Sequence, residues 1–265
     1  MSPFADTHCH LDFRAFDSDR QAVIDGAATQ GISKILNPGI NLESSHAACE
    51  IAAAYPDVFA AVGVHPNDAK SWGLTSLSSI KKLAKHPKVR AIGEIGLDYY
   101  RDYSPHQLQK EIFLIQLDLA AELSLPVVIH NRNADVDMLP ILSNWHSELV
   151  SFQNPLAERP GVLHSFSGDL ESAKRAVSWN FCIGITGPVT FKKADTLREI
   201  VCEIPIESLL IETDAPFLTP HPHRGKRNEP THVRFIAGKI AEIKGASLEE
   251  VGQLTSANAE RLFKW

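Results

Sequence analysis

Eight apolar runs of strand length, separated by stretches of helical spacing, constrain this chain more than any other feature. The runs are Phe4 to His10, Ile32 to Pro38, Val58 to His65, Val89 to Asp98, Pro126 to His130, Gly161 to Phe166, Phe181 to Thr186 and Leu209 to Asp214. Helical spacing recurs between them, as in Asp19 to Gln30, Leu42 to Ala54, Pro105 to Leu123 and Leu170 to Trp179. Strand alternating with helix is the pattern of parallel βαβ units. Several runs are apolar throughout, as strands covered on both faces must be. Spread over 265 residues, eight units take about 33 residues each, close to the ~30 of one βαβ repeat. The pattern predicts a single-domain α/β protein, a closed (β/α)8 TIM barrel over residues 1–265. A doubly wound open sheet is the competing architecture, but no GxGxxG follows the first strand. Ser247 to Leu262 reads as two extra helical segments, opened by a Ser247–Glu250 capping box. His146 to Pro160, of mixed polar content with two prolines, reads as an exposed loop at the end of the barrel opposite the strand C-termini.

Charge and cysteine usage narrow the function classes. Lys and Arg total 26 against 32 Asp and Glu, a net charge of −6. Binding nucleic acid by overall charge alone calls for the opposite sign, so any phosphate chemistry here needs bound cations or a local basic patch. Cys9, Cys49, Cys182 and Cys202 form no CxxC pair and read as free thiols of a reducing compartment. No basic-then-apolar leader opens the chain, and no run approaches the ~20 apolar residues of a membrane span. The expectation is a cytoplasmic protein with no membrane and no obligate protein partner. A chain this long buries enough surface to fold without a structural metal, so a bound metal would serve chemistry.

Polar residues at the run ends carry the functional signal. His8 and His10 are two apart at the end of the first run, so on a strand both imidazoles face one side while Cys9 points outward as a small packed residue. Glu94 interrupts the fourth run, His130 closes the fifth, His164 lies near the end of the sixth and Asp214 closes the eighth. In a barrel these ends surround one mouth, where barrel active sites lie. A carboxylate inside an apolar run is costly to bury unless paired or coordinated. Four imidazoles and two carboxylates from five strands therefore read as a cage for two divalent cations.

These residues fall in motifs that resemble the TatD family of metal-dependent deoxyribonucleases, a branch of the amidohydrolase-like barrels. The motifs are Asp6-Thr7-His8-Cys9-His10-Leu11-Asp12, Gly63-Val64-His65-Pro66, Gly93-Glu94-Ile95-Gly96-Leu97-Asp98-Tyr99, Ile129-His130-Asn131-Arg132, His164-Ser165-Phe166-Ser167-Gly168, Thr190-Phe191-Lys192, Ile211-Glu212-Thr213-Asp214-Ala215-Pro216 and Arg224-Gly225-Lys226-Arg227-Asn228-Glu229-Pro230. They occur in the family's order and span essentially the whole chain; the stretch His146 to Pro160 is longer than the family's usual one. The resemblance implies a two-metal hydrolase acting on DNA, in some members as a 3′-to-5′ exonuclease, with RNA not distinguished as a substrate. It implies His8, His10, Glu94 and Asp214 around one metal and Glu94, His130 and His164 around a second, with Glu94 bridging. It also places His65 and Glu212 near the metals, and it implies activity supported by magnesium or manganese. Imidazole-rich sites also suit zinc or nickel as the ion bound on purification.

In this reading Asp214 is the accessory proton acceptor and Glu212 orients a ligand or a water. His65, Arg132, Arg224 and Arg227 are the substrate contacts expected at the mouth, because guanidinium groups hold phosphates in a fork. Tyr99 and Tyr100 follow Asp98 and are candidates to stack a base. The competing enzyme class is an amidohydrolase-type hydrolase of a small amide, ester or phosphoester. Many such barrels bridge their metals with a carboxylated lysine, where this chain has Glu94. A three-metal phosphoesterase would need further ligands, but the spare histidines His46, His86, His106 and His146 fall in helices or their flanks. A non-catalytic scaffold would be expected to have lost at least one of the six donors.

Overall fold

Each apolar run contributes one strand, and the strands pair in chain order. The computed structural model describes residues 4–101 and 103–265. The elements are β1 (Phe4–Asp6), α1 (Arg20–Thr29), β2 (Ile32–Pro38), α2 (Leu42–Ala54), β3 (Val58–Val62), α3 (Ser76–Leu83), β4 (Val89–Asp98), α4 (His106–Leu123), β5 (Val127–Arg132), α5 (Asp135–Ser151), β6 (Gly161–Leu163), α6 (Leu170–Ser178), β7 (Cys182–Ile185), α7 (Asp195–Glu203), β8 (Leu209–Ile211), α8 (Val233–Lys244) and α9 (Leu248–Phe263). All neighbouring strands run parallel in the order β1 to β8. The sheet closes on itself where Thr7 N donates to Ile211 O at 3.2 Å, Asp214 N to His8 O at 2.8 Å and His10 N to Ala215 O at 2.8 Å. The result is the expected (β/α)8 barrel.

Both faces of the strands are buried, which is why the runs are continuously apolar. One layer takes Ala5, Leu36, Phe59, Ala91, Val128, Val162, Cys182 and Leu210, drawn from every strand in turn, and forms the barrel interior. The alternate residues, among them Ile35, Ile92, Ile129, Ile183 and Ile211, join the core shared with the helices. Cys9 belongs to that outer core and is fully buried, as expected of a packed residue between the two histidines.

Three expectations need correction. The strands end earlier than the apolar runs: β1 stops at Asp6, β6 at Leu163 and β8 at Ile211. His8, His10, His164 and Asp214 thus lie just past the ladders, where the backbone turns and Ser165 and Asp214 take left-handed φ values of 44° and 55°. The stretch 146–160 is not a loop throughout. Its first six residues complete α5, which tolerates Pro140 inside it, and Pro155–Glu158 form a short helical turn with Leu156 fully buried. Arg159 there donates to Ser124 O at 3.1 Å and to Leu262 O at 2.7 Å, so packing at the barrel base overrides the polar composition. Finally, residues 248–263 form one helix rather than two segments, because the capping box at Ser247 starts a run with no internal breaker strong enough to end it.

Helix α9 plugs the bottom of the barrel. Ala259, Leu262 and Phe263 pack into the interior layer, and Asn258 Nδ2 donates to Ile206 O at 2.7 Å and Leu209 O at 2.9 Å. Burying a phenyl ring there closes the end of the barrel opposite the strand C-termini. Replacing Phe263 by Ala is expected to lower the free energy of unfolding by about 3–5 kcal/mol, as for other core phenylalanines. Urea denaturation measures it, and a loss below about 1 kcal/mol would make α9 an appendage rather than part of the core.

Candidate metal centre

Six predicted donors meet at the mouth. Glu94, on β4, extends Oε2 to 3.3 Å from His8 Nε2 and 3.7 Å from His10 Nε2. Its other oxygen, Oε1, lies 2.9 Å from His130 Nδ1 and 3.5 Å from His65 Nε2. Asp214 Oδ1 lies 3.6 Å from His10 Nε2, 3.7 Å from His164 Nε2 and 3.8 Å from His8 Nε2. The donor atoms lying within 4.8 Å of one another form three trios: His8–His10–Glu94, His8–His164–Asp214 and His65–Glu94–His130. His65, expected near the metals and as a substrate contact, groups with Glu94 and His130, while His164, expected with Glu94 and His130, groups with Asp214 and His8. None of His46, His86, His106 and His146 enters a trio among the described residues.

For His10, His130, His164 and His65, partners on the far side of the ring indicate which nitrogen is free. His10 Nδ1 lies 3.2 Å from Pro38 O, an acceptor, so that nitrogen carries the proton and Nε2 presents a lone pair to the cluster. His130 Nε2 faces Asp98 Oδ2 at 3.2 Å, leaving Nδ1 free toward Glu94. His164 Nδ1 makes an ion-pair contact of 3.0 Å with Glu212 Oε1, leaving Nε2 toward Asp214. A carboxylate or carbonyl behind the imidazole is the arrangement that orients a metal-ligating histidine. His65 differs: its Nδ1 accepts from Asn67 N at 3.1 Å, so a neutral His65 carries its proton on Nε2 and donates toward Glu94. It supports the carboxylate instead of offering a lone pair.

The chemistry of this donor set fits a divalent cation. His8 Nε2 and His10 Nε2 stand 3.1 Å apart, and the His8 and His164 rings stack at 3.4 Å. Two ring nitrogens so close repel unless a proton or a cation lies between them. Among the described residues no Lys or Arg pairs with Glu94 or Asp214; histidines alone face them. Burial pushes Glu94 toward neutrality, but the His65, His8 and His130 imidazoles outweigh it and hold the carboxyl well below the usual range. Asp214 is likewise held low against burial by His10, His164 and His8. Burial drives His8 down to about 4, helped by the facing His164. For His164, burial is overcome by Glu212 and Asp214, and the ring is pushed up to about 10. Protons on some of these imidazoles thus stand in for positive charge that no side chain supplies. Cys9 takes no part, since burial raises its thiol far above neutrality.

A second set of buried groups holds the first in place. Glu212 is fully buried and accepts from Ser165 N at 2.5 Å and Thr7 Oγ1 at 3.3 Å in addition to its contact with His164. Gly184 makes room for it, because a Cβ there would overlap the Glu212 carboxylate. Asp6 ties β1 to the end of β8 by accepting from Thr213 N at 2.8 Å and Thr213 Oγ1 at 2.6 Å. Asp98, which sequence reasoning quoted without giving it a role, accepts from Arg101 N at 2.8 Å, Tyr100 N at 3.0 Å and Asn67 Nδ2 at 3.3 Å besides facing His130. Against burial, His130 and those backbone donors pull its carboxyl down to about 2. Its position at the end of a long apolar run was the same signal that marked His130 and Asp214.

Above this floor opens a cavity of about 1460 Å³ lined by His10, His65, Glu94, His130, His164 and Asp214 below and by Arg101, Arg132, Lys192, Lys193 and Arg224 higher up. Arg132 lies over the Tyr100 ring at 3.9 Å and Arg224 over Phe191 at 4.4 Å. Arg227 does not line the cavity. Its guanidinium is engaged by Asp19 at 2.8 and 2.6 Å and by Glu229 at 3.0 Å, fastening the loop after β8 to the segment before α1. Tyr99 also turns away, donating to Asp137 Oδ2 at 2.6 Å and stacking on His106. Lys193 and the rings Phe13 and Phe217 line the cavity although the sequence gave no periodic or motif signal for them.

Comparison with known proteins places the chain in a family. The profile of the family described as TatD related DNase matches residues 5–264. A protein of Bacillus subtilis (strain 168) described as the uncharacterized metal-dependent hydrolase YabD is 44% identical over 98% of both chains. A protein of Pectobacterium parmentieri described as the 3′-5′ ssDNA/RNA exonuclease TatD is 37% identical over 98% of both chains. The crystal structure of YjjV, a TatD homologue from Escherichia coli K12, superposes with a TM-score of 0.91 at 32% identity, covering 99% of this chain and 98% of that one. With a metal-ready floor, a barrel scaffold and relatives matching end to end, this chain is a metal-dependent hydrolase and belongs to the TatD related DNase family.

Proposed function

We propose that the chain hydrolyses phosphodiester bonds in DNA, removing nucleotides from the 3′ end, and that RNA is open to the same site. The observation that carries this reading is a floor of carboxylates faced by imidazoles and, among the described residues, by no lysine or arginine, beneath a basic rim in a chain whose net charge is −6. A rim of that sign attracts phosphates locally while the body repels them. The exonuclease description of the Pectobacterium relative supports the same substrate class. His8, His10, Glu94 and Asp214 would hold one cation and Glu94 with His130 the other, His164 offering its free nitrogen beside Asp214. The split of Glu94, with one oxygen facing each histidine group, suits a bridging ligand. When bound, two divalent cations supply charge neutralisation and water activation for an attack on phosphorus.

The chain's own groups account for the remaining tasks. Asp214 is ionised, faces the cavity and is the acceptor for the proton of the attacking water. Glu212 holds His164 and the turn at Ser165, and Asp98 holds His130. Arg132 and Arg224, already oriented by their aromatic partners, present guanidinium forks to phosphate oxygens, and His65 steadies Glu94. Magnesium or manganese would support turnover, while the imidazoles would also retain zinc or nickel. Many small-molecule amidohydrolase barrels bridge their metals with a carboxylated lysine, whereas Glu94 stands in that place here and no lysine pairs with it among the described residues, which favours the nuclease reading.

Single-turnover digestion of a 3′-labelled single-stranded oligonucleotide tests the reading. Label is expected to leave as mononucleotide, to stop with chelator and to resume with added magnesium or manganese. His130→Ala should slow it by at least about 100-fold, more than the loss of a supporting residue costs. Internal fragments would replace the exonuclease by an endonuclease, and full activity of the His130→Ala protein would assign the cleavage to a contaminant. Asp98→Asn is expected to weaken manganese binding about 10–100-fold without changing the number of ions bound. Titration calorimetry reads both, and unchanged affinity would mean that His130 is oriented without Asp98.

A further inference from the structure

The loop after β8 exposes a ring that its own packing does not explain. Phe217 N donates to Asp214 O at 2.8 Å, and Phe217 O accepts from Asn228 Nδ2 at 2.6 Å. Asn228 is fully buried and also holds Thr213 O at 2.8 Å, so the backbone at Phe217 is fastened to the residues that carry Asp214. Yet Phe217 is 52% exposed. An anchored loop that presents a large apolar group to solvent beside a site is suited to binding. The ring lies edge-on to Phe13 at 5.9 Å, and Phe13 in turn stacks on His10 at 4.5 Å and 18°. Both phenyl rings line the cavity together with His10 and Asp214.

Resting on the nuclease reading, we infer that Phe13 and Phe217 form a base platform, on which the nucleobase next to the scissile phosphate stacks while that phosphate lies over His10 and Asp214. Every base has a π-face, so such a platform binds without reading sequence. It also requires a base freed from pairing and stacking, which an edge-on pair of rings beside the floor rewards. Phe13 couples the platform to His10 directly, and Phe217 is its exposed member. Among the described residues the Phe217 ring contacts Phe13 and none of the candidate donor rings, so its loss is expected to remove the platform and leave the donors in place.

The test compares two single-stranded oligonucleotides, one normal and one abasic at its last two 3′ positions, with wild-type protein and Phe217→Ala, Phe217→Leu and Phe217→Trp. On the normal strand Phe217→Ala and Phe217→Leu are expected to lose roughly 5- to 100-fold in kcat/KM, the equivalent of stacking one base. Phe217→Trp is expected to keep the wild-type value. On the abasic strand all four proteins should fall within about 3-fold of one another, because no base is left to stack. Equal losses on both strands would make Phe217 structural and overturn the platform, as would no loss on either. If the wild-type protein cleaves neither strand with magnesium or manganese present, the nuclease reading itself fails, a result distinct from any difference among the Phe217 variants.

Discussion

Glu94 is 3% exposed at the mouth of the barrel, and among the described residues imidazoles are the only basic groups that pair with it. Burying an ionised carboxylate is expensive unless opposite charge or strong donors surround it. An arginine or lysine would satisfy Glu94 permanently and leave it inert. Imidazoles satisfy it conditionally, since each can give up its proton and present a lone pair. The floor is therefore stable without a cation through its protons and suited to accept one through its nitrogens. Much of the surrounding structure serves to keep those rings and carboxylates at the right separation.

That service is performed by buried polar groups one layer out. Asp98 behind His130 and Glu212 behind His164 place a carboxylate against the far nitrogen of each ring, which aims the other nitrogen inward. These carboxylates are fixed in turn by backbone N–H groups: Tyr100 and Arg101 for Asp98, and Ser165 for Glu212. Gln109 of α4 grips the backbone of Asp98 on both sides, accepting from its N–H at 2.8 Å and donating to its carbonyl at 3.0 Å. Gly96, at φ 141°, lets β4 pass close to β5, where a side chain would overlap the His130 carbonyl. The geometry of the floor is set by the strand ends and by the hydrogen-bonded turns just past them.

Charge is divided by position in a way that composition hides. The whole chain carries a net charge of −6, yet Arg101, Arg132, Lys192, Lys193 and Arg224 gather around one opening. Stacking Arg132 on Tyr100 and Arg224 on Phe191 holds the guanidinium groups in place without neutralising them, so they remain available to an anion. Arg227, three residues from Arg224, has its charge consumed by Asp19 and Glu229. No helix among the described residues is long and apolar enough to cross a membrane.

The barrel and the convergence of His8, His10, Glu94, His130, His164 and Asp214 were legible in the chain because both follow from local order. Apolar runs of strand length can pair in parallel only with helices between them, and residues at the run ends then share one mouth. What local order could not reveal was how contacts between distant segments divide those residues among neighbours. His164 stands with Asp214 and His8 because its ring stacks on His8, a contact across the mouth between the residues after β6 and those after β1. Arg224 and Arg227 look alike in one basic motif, yet Asp19, far away in the chain, removes one of them. The stretch 146–160 has the composition of a loop, but α5 runs into it and the barrel base buries Leu156. Sequence alone determined which side chains would be polar at the ends of buried strands; the tertiary structure decided their partners, because pairing energies depend on distances that only the closed barrel sets.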